Sequence, residues 1–309
     1  MYKKRLQNKV AESRMALPLA AVYALGVCFA CGLAEHRIWI PFSMLAVSSY
    51  LMMVLNNANA LIRIYSRMVS CSFLVLAVMS CFLMDKVESM AVQLCFVAFY
   101  VFLFRAYQDK RSMGLVFYSF AMLGLASTMF VQVLYFVPII WILLYTNITA
   151  GCGRTFLASL LGLVTPYWFV AGYNVYQGKG WWVLSHFEDL ARFAPMADFS
   201  ALDVHQCVAF AFVAVLALTG MVHFHRNSYK DKIRVRLLFE VFSIMCGAIF
   251  VFFVLQPQHC NYLLGMLIVS ASPLVGHYVA LTKTWLTNAS FIVFCLAALS
   301  ITFWNVWIR

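Results

Sequence analysis

The chain alternates long apolar runs with short clusters of charge, and the alternation persists from end to end. Eleven runs read as helices: 16–34, 39–58, 68–84, 90–106, 114–129, 132–149, 156–176, 202–223, 237–255, 262–282 and 287–307. A membrane-spanning helix needs roughly 20 apolar residues, with about 17–25 as the working range. The stretch 113–153 carries no charge, too long for one span and enough for two. Its turn is expected near Ser127-Thr128-Met129, with Gln132 and Pro138 opening the return helix. A re-entrant pair is the alternative, and in both the chain returns to the side it left. No linker, repeat or low-complexity tract interrupts the pattern.

The expected architecture is therefore all-α: a polytopic transmembrane helix bundle forming a single integral membrane domain over 1–309. Composition agrees. Hydrophobic residues make up 64% of the 309 and charged ones 11%, against about 45–50% and 25% in soluble domains. Such a chain cannot cover its own apolar surface in water, which excludes a soluble enzyme, a disordered chain and a disulfide scaffold.

The net charge of +11 would raise nucleic acid as a partner in a soluble protein. Here the basic residues lie in short connections and orient the chain instead. With the N-terminus in the cytoplasm, eleven spans put 17 of the 22 Lys and Arg inside; Arg37, Lys86, Lys179, Arg192 and Arg309 fall outside. Glu35, Asp85, Glu88, Glu188, Asp189, Asp198 and Asp203 fall outside as well. The C-terminus is expected outside. Trp39, Trp181, Trp182, Trp304 and Trp307 would form the outer aromatic belt and Trp285 the inner one, with Trp141 and Trp168 packed between helices. The basic residues before position 15 mimic a signal peptide. The uncharged run that follows exceeds the about 7–15 residues of a signal core, so Gly32-Leu33-Ala34 is read as part of an uncleaved first span.

Most of the ten cysteines lie in apolar runs, where Cys behaves as a small hydrophobe. Cys28-Phe29-Ala30-Cys31 has redox-pair spacing but no His or basic neighbour. Cys207 and Cys260 fall near the outer face, where an oxidising compartment permits a disulfide. No phosphate-cradling glycine loop, zinc-protease, serine-hydrolase, haem or flavin motif occurs, so neither a cofactor nor a metal is expected.

The longest connection, 177–204, is the densest in outward titratable groups. Ser185-His186-Phe187-Glu188 reads as a capping box opening a short amphipathic interfacial helix near 186–194. Ser200 is expected to cap the eighth span, with Asp203 in its first turn. Glu188 and Arg192 pair at i, i+4. His186, Asp189 and His205 are the candidate acids or bases there, with Arg192 a candidate phosphate ligand. Two intramembrane groups stand apart. Glu240 is expected to pair with Arg236 or to snorkel, with a functional intramembrane acid as the alternative, and His277 to hydrogen-bond across helices, with the lining of a polar path as the alternative. The amides of Asn56-Asn57-Ala58-Asn59 are expected to cap the second span. The connection 226–236 is a candidate dock for anionic lipid.

The segments GLASTMFVQVLYFVPIIW (124–141) and GLVTPYWF (162–169), with the amide-rich end of the second span, resemble a functionally uncharacterised family of multi-pass bacterial inner-membrane proteins about 300 residues long. The resemblance covers most of the chain and implies a bacterial inner (cytoplasmic) membrane. It carries no catalytic residues. A further likeness, in outline only, is to membrane glycosyltransferases and glycan polymerases or ligases, which implies a lipid-linked glycan as partner at 177–205. Two function classes follow: a non-catalytic membrane component or assembly partner, and an enzyme or carrier acting on a lipid-linked envelope glycan at the outer leaflet.

Overall fold

A computed structural model describes residues 5–32, 39–193, 195 and 197–308, and among them finds helices and no strand. In chain order the helices are α1 (Leu6–Glu12), α2 (Ala16–Ala30), α3 (Trp39–Asn59), α4 (Met68–Met79), α5 (Val87–Arg105), α6 (Met113–Met129) and α7 (Val137–Thr146). They continue as α8 (Gly153–Tyr176), α9 (Trp182–Ala191), α10 (Val204–Asn227), α11 (Ile233–Leu255), α12 (Cys260–Leu281) and α13 (Trp285–Ile308). Short 3₁₀ turns extend α4 at Cys81–Asp85 and precede α7 at Val131–Phe136. Leu33, Ala34, Glu35, His36 and Arg37 lie outside the described residues, as do Lys3, Lys4, Ala194 and Arg309.

Among the described residues, seven helices are long and apolar enough to cross a membrane: α3, α5, α8, α10 through its 3₁₀ extension, α11, α12 with its preceding turn, and α13. An eighth candidate joins α1 and α2, bent by 92° at their break. The chain is thus a helical membrane protein. Three of the eleven expected runs, those forming α4, α6 and α7 with its turn, are shorter helices.

Local chemistry explains several boundaries. Asp203 caps α10: its carboxylate takes an amide of the first turn, and the Gln206 side chain reaches back to the Asp203 amide at 3.3 Å. The cap is thus Asp203. Ser200 instead donates its hydroxyl to Asp198 at 2.5 Å. Pro138 sits in the first turn of α7, where its missing N–H costs nothing. Cys152 and Thr155 form a reciprocal cap at the start of α8.

The core is built round α12. Its residues 263–280 are all buried, against α4, α5, α10 and α11. Two glycines allow close approaches at α12. A Cβ on Gly220 of α10 would lie 2.8 Å from the Leu274 carbonyl carbon, and one on Gly276 would lie 2.9 Å from the Val69 amide nitrogen. Small residues let helix backbones meet where lipid supplies no hydrophobic drive for association. The α6–α8 hairpin joins at α5, while α8 and α13 lie at the periphery with apolar side chains facing outward. Trp141 packs inward, donating to Ser159 at 3.0 Å. Trp168 does not: it is 78% exposed on the outer side of α8.

The connections gather at two ends. At one, Gln7 donates to the Val279 carbonyl at 2.7 Å, Arg63 to the Lys230 carbonyl at 3.2 Å, and Gln108 to Ile148 at 2.9 Å. Arg234 reaches Asn59 at 2.8 Å there. At the other, Tyr262 donates to Glu88 at 2.9 Å, Phe130 stacks on Tyr262 at 4.5 Å, and Phe82 meets His205 at 5.2 Å. The basic connections share the first end, called here the basic end. The chain leaves that end at Arg105 and returns to it by Ile148, as the charge-free stretch 113–153 requires.

Candidate functional site

Four candidates sit at the far end: His186, Asp189 and Arg192 share one surface helix and its C-terminal cap, and His205 stands apart from them. The surface helix α9 starts at Trp182, four residues earlier than expected. Ser185 is therefore inside it and donates to the Trp182 carbonyl at 3.0 Å rather than capping. The rings of Trp182 and His186 stack at 4.8 Å, which extends the helix backwards over an aromatic face. His186 Nε2 lies 2.9 Å from the Ser127 carbonyl, to which it must donate. Tyr167 stacks on Phe187 and gives its hydroxyl to Ser127 Oγ at 2.8 Å. Tyr135 donates to the Leu190 carbonyl. His186 thus fastens α9 onto the end of the α6–α8 hairpin.

Arg192 is paired on the exposed face of α9, 3.0 Å from Asp189 and 3.5 Å from Glu188. His205 stands elsewhere, on α10 against the Phe82 ring. The Ser200 hydroxyl and amide hold the Asp198 carboxyl below the usual carboxylate range. Cys207 and Cys260 are free thiols.

At the basic end the ionisable groups converge. The 3₁₀ turn Ser228–Lys230 folds the chain back between α10 and α11 and carries Asp231 beneath the end of α12. His277 Nε2 lies 3.0 Å from Asp231 Oδ2, and Arg63 Nε lies 3.6 Å from Oδ1. The His277 side chain is 0% exposed and that of Asp231 2%, whereas Arg63 keeps 37%. His223 adds a second imidazole, its ring centre 5.4 Å from that of His277. His277 does bond away from its own helix, as expected, but to an acid in a connection. Charge placed this deep is costly unless matched, and matched groups mark functional sites in membrane proteins. The cluster ties the connection after α3, the turn after α10 and α12 into one unit.

Glu240 is held differently from expectation: Asn147 donates to its Oε2 at 2.8 Å, from the end of α7. Arg236, one turn away, does not pair with it. Of the amides ending α3, Asn56 donates to the Ser66 carbonyl at 3.0 Å, and Asn59 turns back on Leu55 while accepting from Arg234. They bind the following connection and α11 rather than simply closing α3. Gln93, fully buried on α5 opposite Gly265, has no hydrogen-bond partner for either side-chain amide atom. Among the described residues no cluster of three or more His, Cys, Asp or Glu could hold a metal ion.

Asp231 and Arg63 were not singled out by the sequence. The available signal was one acid among five cations, following two histidines, with a lone histidine buried in a later span.

Fold and site together define an α-helical membrane protein with a buried carboxylate–imidazole pair at its basic end. No family model, no curated protein and no solved structure matches the chain.

Proposed function

We propose that the chain is a non-catalytic component of a bacterial inner membrane, a scaffold or assembly partner, with eleven spans and its N-terminus in the cytoplasm. The observation that carries the functional part is the engagement of the outer candidates. His186 docks α9 on Ser127, Arg192 is paired with Asp189 and Glu188, and His205 lies against a different ring. Titratable groups spent on holding a surface helix are not arranged as a nucleophile, base and anion site round one reacting atom. Two observations support the topology: the gathering of connections at two ends, and the concentration of Lys and Arg at one of them. The likeness of 124–141 and 162–169 to bacterial inner-membrane proteins supports the compartment.

The test is a deletion strain complemented with His186→Ala, Asp189→Ala, Arg192→Ala or His205→Ala. Each single variant is expected to complement at normal protein level, whereas replacing the whole of 177–203 is expected to fail. Loss of complementation by one single variant at normal protein level would favour instead an enzyme or carrier for a lipid-linked glycan.

A further inference from the structure

The connection 226–236 does not present its cations uniformly. Arg234 is drawn inward to Asn59 and the Phe104 carbonyl, and its guanidinium lies over the Tyr107 ring. Asp231, the one acid there, is taken by His277 and Arg63. Arg226 is exposed and makes no ion pair among the described residues. It lines a cleft of 620 Å³ at the seam of α10, α12 and α13, together with His223, Asn227, Tyr278 and Thr287. Lys230, outside the lining, bonds to a residue of it, with Nζ 3.1 Å from Asn227 Oδ1. The lining holds Arg226 and no acid, so the cleft is net positive.

The walls change character along the helices. One and two turns from Arg226 they are formed by Val222 and Leu218, which face outward and are about half exposed. A separate apolar cavity of 230 Å³ lies between these three helices and α1, α2 and α4, lined by Leu216, Val279, Phe294, Ala20 and Val75 among others. A cationic mouth at the basic end beneath an apolar lateral wall matches one occupant, a phosphodiester carrying acyl chains. We infer that this cleft binds an anionic phospholipid, its phosphate against Arg226 and Lys230 and one acyl chain along Leu218 and Val222. A second basic cleft, lined by Lys110, Arg111 and Arg154 and by the apolar Phe156 and Leu157, carries more cations in its lining. Its polar lining is confined to one connection and one helix start, so it serves as the control. The site does not depend on which compartment the basic end faces.

The experiment uses the full chain purified in neutral detergent, with lipid binding followed by native mass spectrometry. The probes are phosphatidylglycerol, phosphatidylcholine and glycerol phosphate. Phosphatidylglycerol should bind and phosphatidylcholine should bind more weakly. Arg226→Gln should weaken phosphatidylglycerol about fivefold, the change expected of one interfacial cation, while Arg154→Gln should leave it unchanged. Arg226 is exposed, so its variant should fold normally. Equal losses in the two variants would reduce the effect to general surface charge and overturn the site. Glycerol phosphate competing as well as the lipid would assign the cleft to a soluble phosphate ester and overturn the lipid.

Discussion

Removing the Asp231 carboxylate should destabilise the bundle well beyond an ordinary connection mutation. In Asp231→Ala the Nε2–H of His277 loses its acceptor at a position with no exposure. A hydrogen bond to a charged group contributes about 1.5–3 kcal/mol, and an orphaned buried donor costs about 1–3 kcal/mol. These describe overlapping losses, so the expected effect is about 2–4 kcal/mol. Arg63 adds little, because at 37% exposure water replaces its partner. Asp231→Asn keeps an oxygen for His277 and loses only charge, so about 1–2 kcal/mol is expected. Reversible unfolding in mixed micelles measures both. The double variant Asp231→Ala/His277→Ala should be less destabilised than the sum of the singles, with a coupling of about 1–3 kcal/mol. An Asp231→Ala effect under about 0.5 kcal/mol with no coupling would refute the argument that this pair is a buried electrostatic latch.

Gly162 of α8 faces α6 so closely that a Cβ would lie 2.5 Å from the Phe117 carbonyl oxygen, whereas Gly172 on the same helix has open space. Gly162→Leu should therefore lose at least about 1–3 kcal/mol in thermal or denaturant unfolding, and Gly172→Leu should stay near wild type. The Thr155 hydroxyl lowers the pKa of the Cys152 thiol below its ordinary value. At a fixed pH below the ordinary thiol pKa more thiolate is present, so maleimide labelling should be faster than for a free thiol and should slow as pH falls. Thr155→Val should move that rate profile to higher pH, as measured by stopped labelling and mass spectrometry.

Much of the fold was legible because lipid imposes a one-dimensional signal: an apolar run must be helical, and charges mark where it stops. Every expected run contains a helix of the structure, including the pair in 113–153. What the pattern missed was local. The apolar pattern, which starts at 16, did not show α1 or its 92° turn into α2; Gln7 and Asn8 of α1 bond to Val279 and Thr282 at the end of α12, more than 270 positions away. The start of α9 was misjudged because the Trp182–His186 stack outweighs a nominal Ser cap. The outer candidates were found as a cluster in sequence, yet three dimensions separate His205 from His186. The basic-end site was only half visible. His277 stood out as a polar residue in a span, but its partner Asp231 comes from a connection 46 positions away, and Arg63, which pairs with that acid, from a still more distant one. No spacing rule links such positions. Glu240 shows the same limit, since its partner Asn147 is 93 positions away and the sequence offered only the nearby Arg236.

The arrangement of the chain across the membrane is tested most directly by sided reporter fusions to the full-length protein in cells. Fusions after Lys110, Arg154 and Lys232 should read cytoplasmic, and those after Asp85, Phe130 and Asp198 periplasmic. The Asp85 and Phe130 fusions weigh most, because they bear on the short helices α4, α6 and α7. Periplasmic signals at both would agree with eleven spans. A cytoplasmic signal at either, or an inverted signal at Lys232, would contradict the eleven-span topology.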